Sequence, residues 1–472
     1  MRRSVRFALR LVPAVLVLCP VPGTAQVQVQ ADAGPAAGGK SLIPSPTLPD
    51  GFTIAAVGDL IYLRAMLPTI EARSPEMLAL LRDADLTFGN FETNIFDLAT
   101  FTGSPQAESG GTWMFGAPGV PADVRAMGFD LVGLANNHTT DWGVEGMSET
   151  MSRLTENGLV FAGAGHSLSL ARAPAYADVA AGRIGLVAAA SSFTPMSRAA
   201  DPVGRVPGRG GVNPLRVTQM VMVPPADYAA IGRIAAAAGG RNGPRNGGIE
   251  LMKTLYGEGE AGAAIAYRFT PDKADMDGNL RAIRQARQNS NFAIFSLHNH
   301  EPGNAFDTPA DFAIDMAHRA IDAGADMYVG HGPHQLRGIE IYRGKPIFYS
   351  LGNFAMMNNS LDDVPADMYE QNGSDPAQVT PPELLHARNA TSFSNPRFFE
   401  SLIAITRFRG GKAAEIRLYP LDLGLDDEGA DKGVPRMASA IVGRRILERM
   451  QRLSAPLGTS IHIENGVGVI RP

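Results

Sequence analysis

Residues 326–334 read DMYVGHGPH, and this stretch decides the fold. The apolar run that closes at Val329 predicts a buried strand, and two histidines, His331 and His334, follow it almost at once. Functional side chains of α/β proteins gather at strand ends, because the sheet fixes the backbone while the side chain faces a crevice. The glycine and proline of this turn allow a close approach of the backbone to an ion and stiffen the chain. The stretch therefore indicates a sheet with a site at its edge.

The same arrangement recurs at four other predicted strands. The apolar runs over 54–57, 86–88, 129–134 and 292–297 each lead into a carboxylate, amide or imidazole side chain. In chain order these side chains are Asp59, Glu92, Asn137 with His138, and His298. Taken singly, each has an ordinary alternative as a turn residue or a solvated loop residue. Five such coincidences are needed to explain all of them that way, so we interpret them together as one site.

Predicted helices separate the strands. The patterns over 146–157 and 309–323 are helical, and each is followed by a helix-ending glycine. Strands that alternate with helices predict an α/β fold with helices packed outside the sheets. Two stretches near 196–290 and 356–400 are dense in Gly, Pro, Asn and Asp. We interpret them as loop insertions or lids within one domain that covers 51–472.

The beginning of the chain predicts export. Basic residues, an apolar run over 11–18 and the small residues 23–25, with cleavage after Ala25, have the order of a secretory signal peptide over 1–25. The alternative is a transmembrane anchor, but the apolar run is about half of the ~20 residues that span a bilayer. We therefore expect no stable transmembrane anchor and a periplasmic or secreted mature protein. Residues 26–50 predict a flexible linker.

Composition limits the partners and the ligand types. With 42 basic and 47 acidic side chains, the net charge is -5 and there is no basic stripe, so we expect no nucleic-acid partner. The single cysteine, Cys19, lies in the predicted leader, so a metal site of the mature chain must use nitrogen and oxygen ligands. Only 2 tryptophans are available for sugar stacking, which argues against a carbohydrate-binding module.

The donor types favour a divalent cation, and we expect two ions. Carboxylate, amide and imidazole donors suit Mn, Fe or Zn and do not suit copper(I) or an iron–sulfur cluster. One carboxylate can bridge two ions ~3.5–4 Å apart, the separation used in two-metal hydrolysis. Asp59 and Glu92 are the candidate carboxylates. His138 is placed to protonate a leaving group or hold a substrate oxygen, with Asp141 to orient its imidazole.

These segments resemble the bacterial capsule-biosynthesis CapA (poly-γ-glutamate synthesis) family, within the calcineurin-like metallophosphatase superfamily. The resemblance lies in residues 57–59, 89–92, 134–165 and 329–354. It covers most of residues 52–354, and the two long blocks are specific. It implies a metallophosphatase-like α/β fold, a two-sheet sandwich flanked by helices, with a dinuclear metal centre at the strand ends.

The resemblance also implies roles for single residues. Asp59 is similar to the first-motif carboxylate and Glu92 to the bridging acid, while His138 is similar to the imidazole that acts on the leaving group. The remaining ligands that it implies are Asn137, His298, His331 and His334.

Two departures from the superfamily pattern leave alternatives open. Ile61 stands where a histidine usually follows the first aspartate by two residues, so one metal shell is short by a ligand. Either His300 completes the metal set or the second ion binds weakly. Residues 298–301 read HNHE instead of the usual His-Trp-Gly form, which leaves the relative roles of His298 and His300 open.

Two functions are compatible with these residues. The first is an exported metal-dependent hydrolase that uses a metal-bridging hydroxide on a phosphoester or amide bond. Its substrate is a small molecule or a polymer, linked to capsule or poly-γ-glutamate-type polymer metabolism. The alternative is a non-catalytic, metal-binding accessory protein of exopolymer synthesis or export. The sequence leaves the substrate and the oligomeric state open.

Overall fold

Two large sheets face each other in the computed structural model, which describes residues 47–106 and 112–472. The predicted leader, and the predicted linker as far as residue 46, lie outside the described residues. The strands are β1 (Thr53–Ile61), β2 (Leu86–Phe91), β3 (Asn94–Ile95), β4 (Phe115–Gly116), β5 (Leu131–Gly133), β6 (Val160–Ala162), β7 (Ala164–Gly165), β8 (Ala175–Val179), β9 (Gly182–Ala190), β10 (Gly211–Val212), β11 (Val217–Val223), β12 (Gly243–Arg245), β13 (Gly248–Leu251), β14 (Thr254–Glu258), β15 (Ala266–Pro271), β16 (Phe292–His298), β17 (Met327–His331), β18 (Ile339–Tyr342), β19 (Lys345–Phe348), β20 (Asn353–Met356), β21 (Glu400–Arg409), β22 (Lys412–Asp422), β23 (Arg436–Met437), β24 (His462–Glu464) and β25 (Val467–Ile470).

The helices connect these strands. They are α1 (Leu67–Arg73), α2 (Pro75–Arg82), α3 (Val120–Ala126), α4 (Gly143–Glu156), α5 (Leu168–Arg172), α6 (Pro225–Ala238), α7 (Lys273–Gln288), α8 (Asp311–Asp322), α9 (Ala366–Gln371), α10 (Pro381–Ser392) and α11 (Ala440–Ser454). Among the described residues, no helix has the length and apolar character that crossing a bilayer requires.

Each large sheet contains a parallel centre. The ten-stranded sheet has the order β24-β25-β22-β21-β1-β2-β5-β6, with β20 beside β1 and β23 beside β22. Within it, β1, β2, β5 and β6 run parallel. The six-stranded sheet has the order β18-β19-β17-β16-β9-β8, in which β9, β16, β17 and β19 run parallel. In each sheet the carboxyl ends of the parallel strands therefore meet at one edge.

The alternation of side chains along the strands builds three apolar layers. Ile54 of β1 and Ile294 of β16 pack in the same cluster, which fills the space between the two sheets. Their neighbours point the other way because successive strand residues face opposite sides. Ala55 packs under the helices that cover the first sheet, and Phe295 packs under α7 and α8. The predicted α/β sandwich of two sheets flanked by helices is confirmed.

The stretch over 196–290 carries more regular structure than its composition indicated. Its strands β11 to β15 form a separate five-stranded sheet, in the order β12-β13-β14-β11-β15, and α6 packs against this sheet. Helix α7 belongs to the main fold, since it packs on β9 and β16. The stretch over 356–400 contains α9 and α10, and Leu384 and Leu385 of α10 are buried. Turn-forming residues are therefore placed between these elements rather than throughout the two stretches.

The layer between the sheets is expected to dominate stability. Ile294→Ala should lower the free energy of unfolding by about 2–5 kcal/mol, because Ile294 is 1% exposed and its removal leaves a cavity. Ile441→Ala is the matched control, since Ile441 is 83% exposed, and it should stay within about 0.5 kcal/mol of the wild type. Urea unfolding followed by fluorescence measures both. Equal effects of the two substitutions would contradict this assignment of the core.

Candidate metal centre

Parallel strands deliver polar side chains to one place. Asp59 lies near the end of β1, and Glu92 follows the last residue of β2. His298 and His331 are the last residues of β16 and β17 and stand opposite each other in the register of the six-stranded sheet. All four side chains are buried. The two sheets thus contribute two acids and two imidazoles to the same edge of the sandwich.

The loop after β5 is held by its own side chains. Asn136 donates from Nδ2 to the carbonyl of Phe91 at 2.8 Å, and its Oδ1 accepts the backbone N–H of His138 at 3.1 Å. Thr139 adds a bond from Oγ1 to the carbonyl of Leu134 at 2.7 Å. These bonds fix the backbone on both sides of the amide at position 137. The asparagine next to the predicted ligand therefore acts as an anchor of the loop.

Asp59 lies among three imidazoles. Its Oδ1 is 3.5 Å from Nδ1 of His331 and 3.9 Å from Nδ1 of His298. Its Oδ2 is 3.8 Å from Nδ1 of His334 and accepts the backbone N–H of Gly332 at 3.1 Å. These imidazole distances are too long for good hydrogen bonds. The atoms of Asp59, His298 and His331 instead match ligand atoms around a common centre, while Nδ1 of His334 bonds to Asn353.

A second group of donors surrounds Glu92 and Asn137. Oε1 of Glu92 is 3.7 Å from Nε2 of His298 and 4.0 Å from Nε2 of His138. Nε2 of His298 also lies 2.7 Å from Oδ1 of Asn137 and 3.2 Å from Nε2 of His300. The structure brings together every predicted ligand, including His300, whose place the sequence left open.

The donor set is compatible with a metal site. Two groups of three side chains each offer ligand atoms that all lie within 4.8 Å of one another. One group is Asp59, Glu92 and His298, and the other is Glu92, His300 and His334. Glu92 is common to both groups. Within the described residues, both carboxylate oxygens of Glu92 and both ring nitrogens of His331 are buried without a hydrogen-bond partner. Such atoms carry a desolvation cost unless a ligand satisfies them, and a cation between them would do so.

The two buried acids have opposite pKa shifts. Burial acts to raise the pKa of Asp59, but the neighbouring His331, His298 and His334 outweigh it and hold that pKa below its ordinary value. Burial raises the pKa of Glu92 well above its ordinary value, and the charges of Asp59 and Asp141 raise it further. A cation bound beside Glu92 would favour its ionised form.

Burial favours the neutral form of three imidazoles at the centre, those of His298, His300 and His334. Burial lowers the pKa of His298 well below its usual value, and the neighbouring His300 adds to the effect. Burial lowers the pKa of His300 to about 3, with a further contribution from His334, and it also lowers the pKa of His334. A neutral imidazole has a free lone pair and is the form that binds a metal ion. These three side chains therefore have the protonation state that a metal site requires.

A cavity of about 250 Å³ opens onto this centre. Its lining includes His138, His300 and His334 from the cluster, together with Arg388 and Phe393 from the end of α10 and the loop after it. The cavity gives a small ligand access to the imidazoles. Ile61 also lines it, so the position where a histidine was expected does face the site.

Comparison with known protein families shows which family this chain belongs to. The sequence profile of the family described as bacterial capsule synthesis protein PGA_cap matches residues 53–358. This chain belongs to the PGA_cap family. The match contains β1 to β20, and hence every strand that carries a predicted ligand. The predicted family resemblance is confirmed.

Relatives of this PGA_cap protein differ in sequence identity and in how much of the chain they match. A Sinorhizobium fredii relative named "Uncharacterized protein y4uA" is 44% identical over 89% of this chain and 93% of its own length. A Bacillus subtilis protein named "PGA biosynthesis protein CapA" is 25% identical over 72% of this chain and 74% of its own. A Mycobacterium tuberculosis protein named "Probable polyglutamine synthesis accessory protein" is 30% identical over 50% of this chain and 47% of its own. A solved structure described as a novel phosphatase of Mycoplasma pneumoniae covers 79% of this chain and 89% of its own, at 10% identity and a TM-score of 0.32.

Three asparagines that support the centre of this PGA_cap protein were not singled out from the sequence. Asn90 donates from Nδ2 to Oδ1 of Asp59 at 2.8 Å. Asn304 and Asn353 accept from Nδ1 of His300 and His334 at 2.8 and 2.9 Å, which leaves Nε2 of each ring for a ligand. Asn90 and Asn353 each follow a glycine at a strand end or start, the same kind of place that marked the ligands. Asn304 lies in a loop and carries no such signal.

The predicted partner of His138 is in place. Nδ1 of His138 lies 2.7 Å from Oδ2 of Asp141, and the two residues are three apart in one turn. The same oxygen accepts the backbone N–H of Met114 at 2.9 Å. Asp141 is fully buried, so its orientation is fixed by these bonds. The imidazole of His138 therefore keeps Nε2 directed away from Asp141 and towards Glu92.

A methyl group at position 332 should disturb the centre. Gly332 has φ of 108°, and a Cβ there would lie 2.8 Å from the carbonyl oxygen of Asn299. Gly332→Ala should therefore shift the turn that holds Asp59 and lower the bound metal per chain, measured by elemental analysis. Gly373→Ala is the control, since its φ of 61° is also left-handed but nothing lies within 4 Å of its Cβ. Unchanged metal content in Gly332→Ala would refute the predicted close approach.

Cation binding should stabilise the fold. A ligand that binds the folded state alone, at 100 times its dissociation constant, adds about 2.7 kcal/mol. We expect the melting temperature of the wild type to rise with Mn²⁺ and to fall on chelation, while His331→Ala shows neither change. His462→Ala, at an exposed position, should respond as the wild type does. Calorimetry measures the three proteins, and an equal response of His331→Ala would exclude His331 as a ligand.

Proposed function

We propose that this PGA_cap protein is an exported hydrolase that requires two divalent cations of the Mn, Fe or Zn type. Its reaction is the cleavage of a phosphoester or amide bond in capsule or poly-γ-glutamate-type polymer metabolism. The observation that supports the proposal is the position of Glu92, which belongs to two groups of candidate ligands. It also lies beside the imidazole of His138, whose Nδ1 is bonded to Asp141. Export rests on the predicted leader over 1–25.

Each group of donors would hold one cation. Asp59 and His298 would bind the first, His300 and His334 the second, and Glu92 would be shared between them. His331 and Asn137 lie within the same cluster and would complete the shells. The cations, when bound, supply Lewis acidity that polarises the scissile bond and activates water.

His138 is suited to proton transfer. Asp141 stabilises the protonated form of its ring and fixes Nδ1, so the exchangeable proton is on Nε2. That side of the ring lies 4.0 Å from Glu92 and lines the cavity. A leaving oxygen or nitrogen in the cavity would receive its proton from Nε2. Phosphoester and amide cleavage both need this step, so the bond remains to be identified by assay.

A second function is favoured by one observation. The candidate ligands come from both sheets, so cations would also join the two halves of the sandwich. A protein in which the cations serve only this purpose would be an accessory protein of polymer synthesis or export. The name of the Mycobacterium tuberculosis relative is compatible with that function. Turnover distinguishes the two functions.

Activity should depend on His138 separately from metal binding. The mature chain, loaded with Mn²⁺ or Zn²⁺, is assayed against a phosphodiester, a phosphomonoester and γ-glutamyl peptides. His138→Ala should lower kcat by about 10²–10⁴-fold with its metal content unchanged, because a general acid contributes that much. Asp59→Ala should lose both metal and activity. His166→Ala, at an exposed position, should match the wild type.

Metal binding without turnover of any of these substrates would contradict the proposed hydrolase function. Activity that survives in His138→Ala at the wild-type rate would leave the hydrolase intact but remove His138 from the reaction. Elemental analysis of each assayed sample separates a lost ligand from a lost proton donor.

A further inference from the structure

A buried arginine lines the cavity at the metal centre. Arg388 belongs to α10, is 8% exposed and is among the residues that border the cavity of about 250 Å³. Its Nη1 donates to Oδ1 of Asn389 at 3.1 Å, and the guanidinium carbon lies 5.0 Å from the centre of the Phe393 ring. An amide on one side and an aromatic face on the other hold the guanidinium in one orientation.

Phe393 connects this arginine to the candidate ligands. Its ring centre lies 6.5 Å from that of His334 and 5.7 Å from that of Phe398, so it is fixed on the side of the metal centre. The charge of Arg388 also reaches His334, where it contributes to lowering the pKa after burial and the neighbouring His138. Arg388 is therefore part of the site, both by its position at the cavity and by the effect of its charge on His334.

The cavity lining carries the positive charge of one arginine. Among the described residues that border it, Arg388 and three imidazoles are the ionisable side chains, and none is a carboxylate. Burial lowers the pKa of Arg388 to about 10, so the side chain is charged at neutral pH. Cations at the centre would make the potential more positive. A cavity of this kind favours an anionic ligand, and a planar guanidinium matches the two oxygens of a carboxylate or phosphoryl group.

We propose that Arg388 binds an anionic group of the substrate, a carboxylate or a phosphoryl group, beside the bond that is cut. The proposal rests on the hydrolase function for the identity of that bond. It specifies the substrate class, because a neutral ester or amide offers no anionic group to Arg388. Two sources of the anion fit: the phosphate of a phosphoester, and the free α-carboxylate that adjoins each amide of a γ-linked glutamyl chain.

Binding tests the arginine independently of turnover. Calorimetry on the Mn²⁺-loaded mature chain measures the affinity for inorganic phosphate and for two γ-glutamyl tripeptides, one with free α-carboxylates and one with α-carboxamides. Arg388→Met should weaken binding of an anionic probe by about 10- to 100-fold, the size of a hydrogen bond to a charged group. The α-carboxamide peptide should bind the variant and the wild type alike. An effect on phosphate alone assigns a phosphoester, and an effect on the carboxylate peptide alone assigns a glutamyl chain.

The control is an arginine outside the site. Arg444 of α11 has a side chain that is 76% exposed and pairs with Glu448, so Arg444→Met should bind all three probes as the wild type does. Melting temperature and metal content are measured on every sample. If Arg388→Met does not fold, Arg388→Lys replaces it, and we expect severalfold weaker binding of the anionic probes because lysine lacks the planar fork.

Three results would overturn the proposal. The first is that a folded, metal-loaded Arg388 variant binds both anionic probes within twofold of the wild type. The second is that the variant loses the α-carboxamide peptide as strongly as the charged one. The third is that the wild type binds neither anionic probe. A wild type that binds an anion through Arg388 but turns over no substrate would contradict the hydrolase and leave the anion site standing.

Discussion

Two carboxylates with no exposed surface, Asp59 and Glu92, set the main constraint on this structure. A buried anion is costly unless positive charge or hydrogen bonds compensate it. Asp59 receives the N–H of Gly332 and the amide of Asn90, while both oxygens of Glu92 remain without a hydrogen bond among the described residues. Protein groups thus compensate one acid, and in the proposed function a cation would compensate the other.

The sandwich meets this constraint through strand direction. Parallel strands in both sheets end at one edge, so short side chains can converge there without a long loop. The apolar layer between the sheets keeps the two edges in register, since Ile54 and Ile294 belong to one packed cluster. Helix α10 contributes Arg388 to the lining of the cavity. Rigid strands thus supply the candidate ligands, while a helix of the later stretch supplies the cavity wall.

The sequence predicted the parts that depend on local pattern. Strand ends marked Asp59, Glu92, His298 and His331, because a short apolar run followed by a donor is visible without any knowledge of the fold. The partner of His138 was predictable too, since Asp141 lies in the same turn. Arg388 was not, because it reaches the cavity only through the packing of α10, and nothing near it in the chain distinguishes it from other arginines. The separate sheet of β11 to β15 was also not predicted, because its strands are short and the segments that connect them are rich in glycine.

The origin of the donors in two different sheets has a consequence for how such a chain would acquire its ions. Neither sheet alone presents all of the candidate ligands, so the proposed coordination sphere would exist only after the two sheets have packed together. A polypeptide translocated in an unfolded form would carry no ions across the membrane with it. Its metal would then be drawn from the supply on the far side, and the identity of that metal would reflect the destination rather than the cytoplasm.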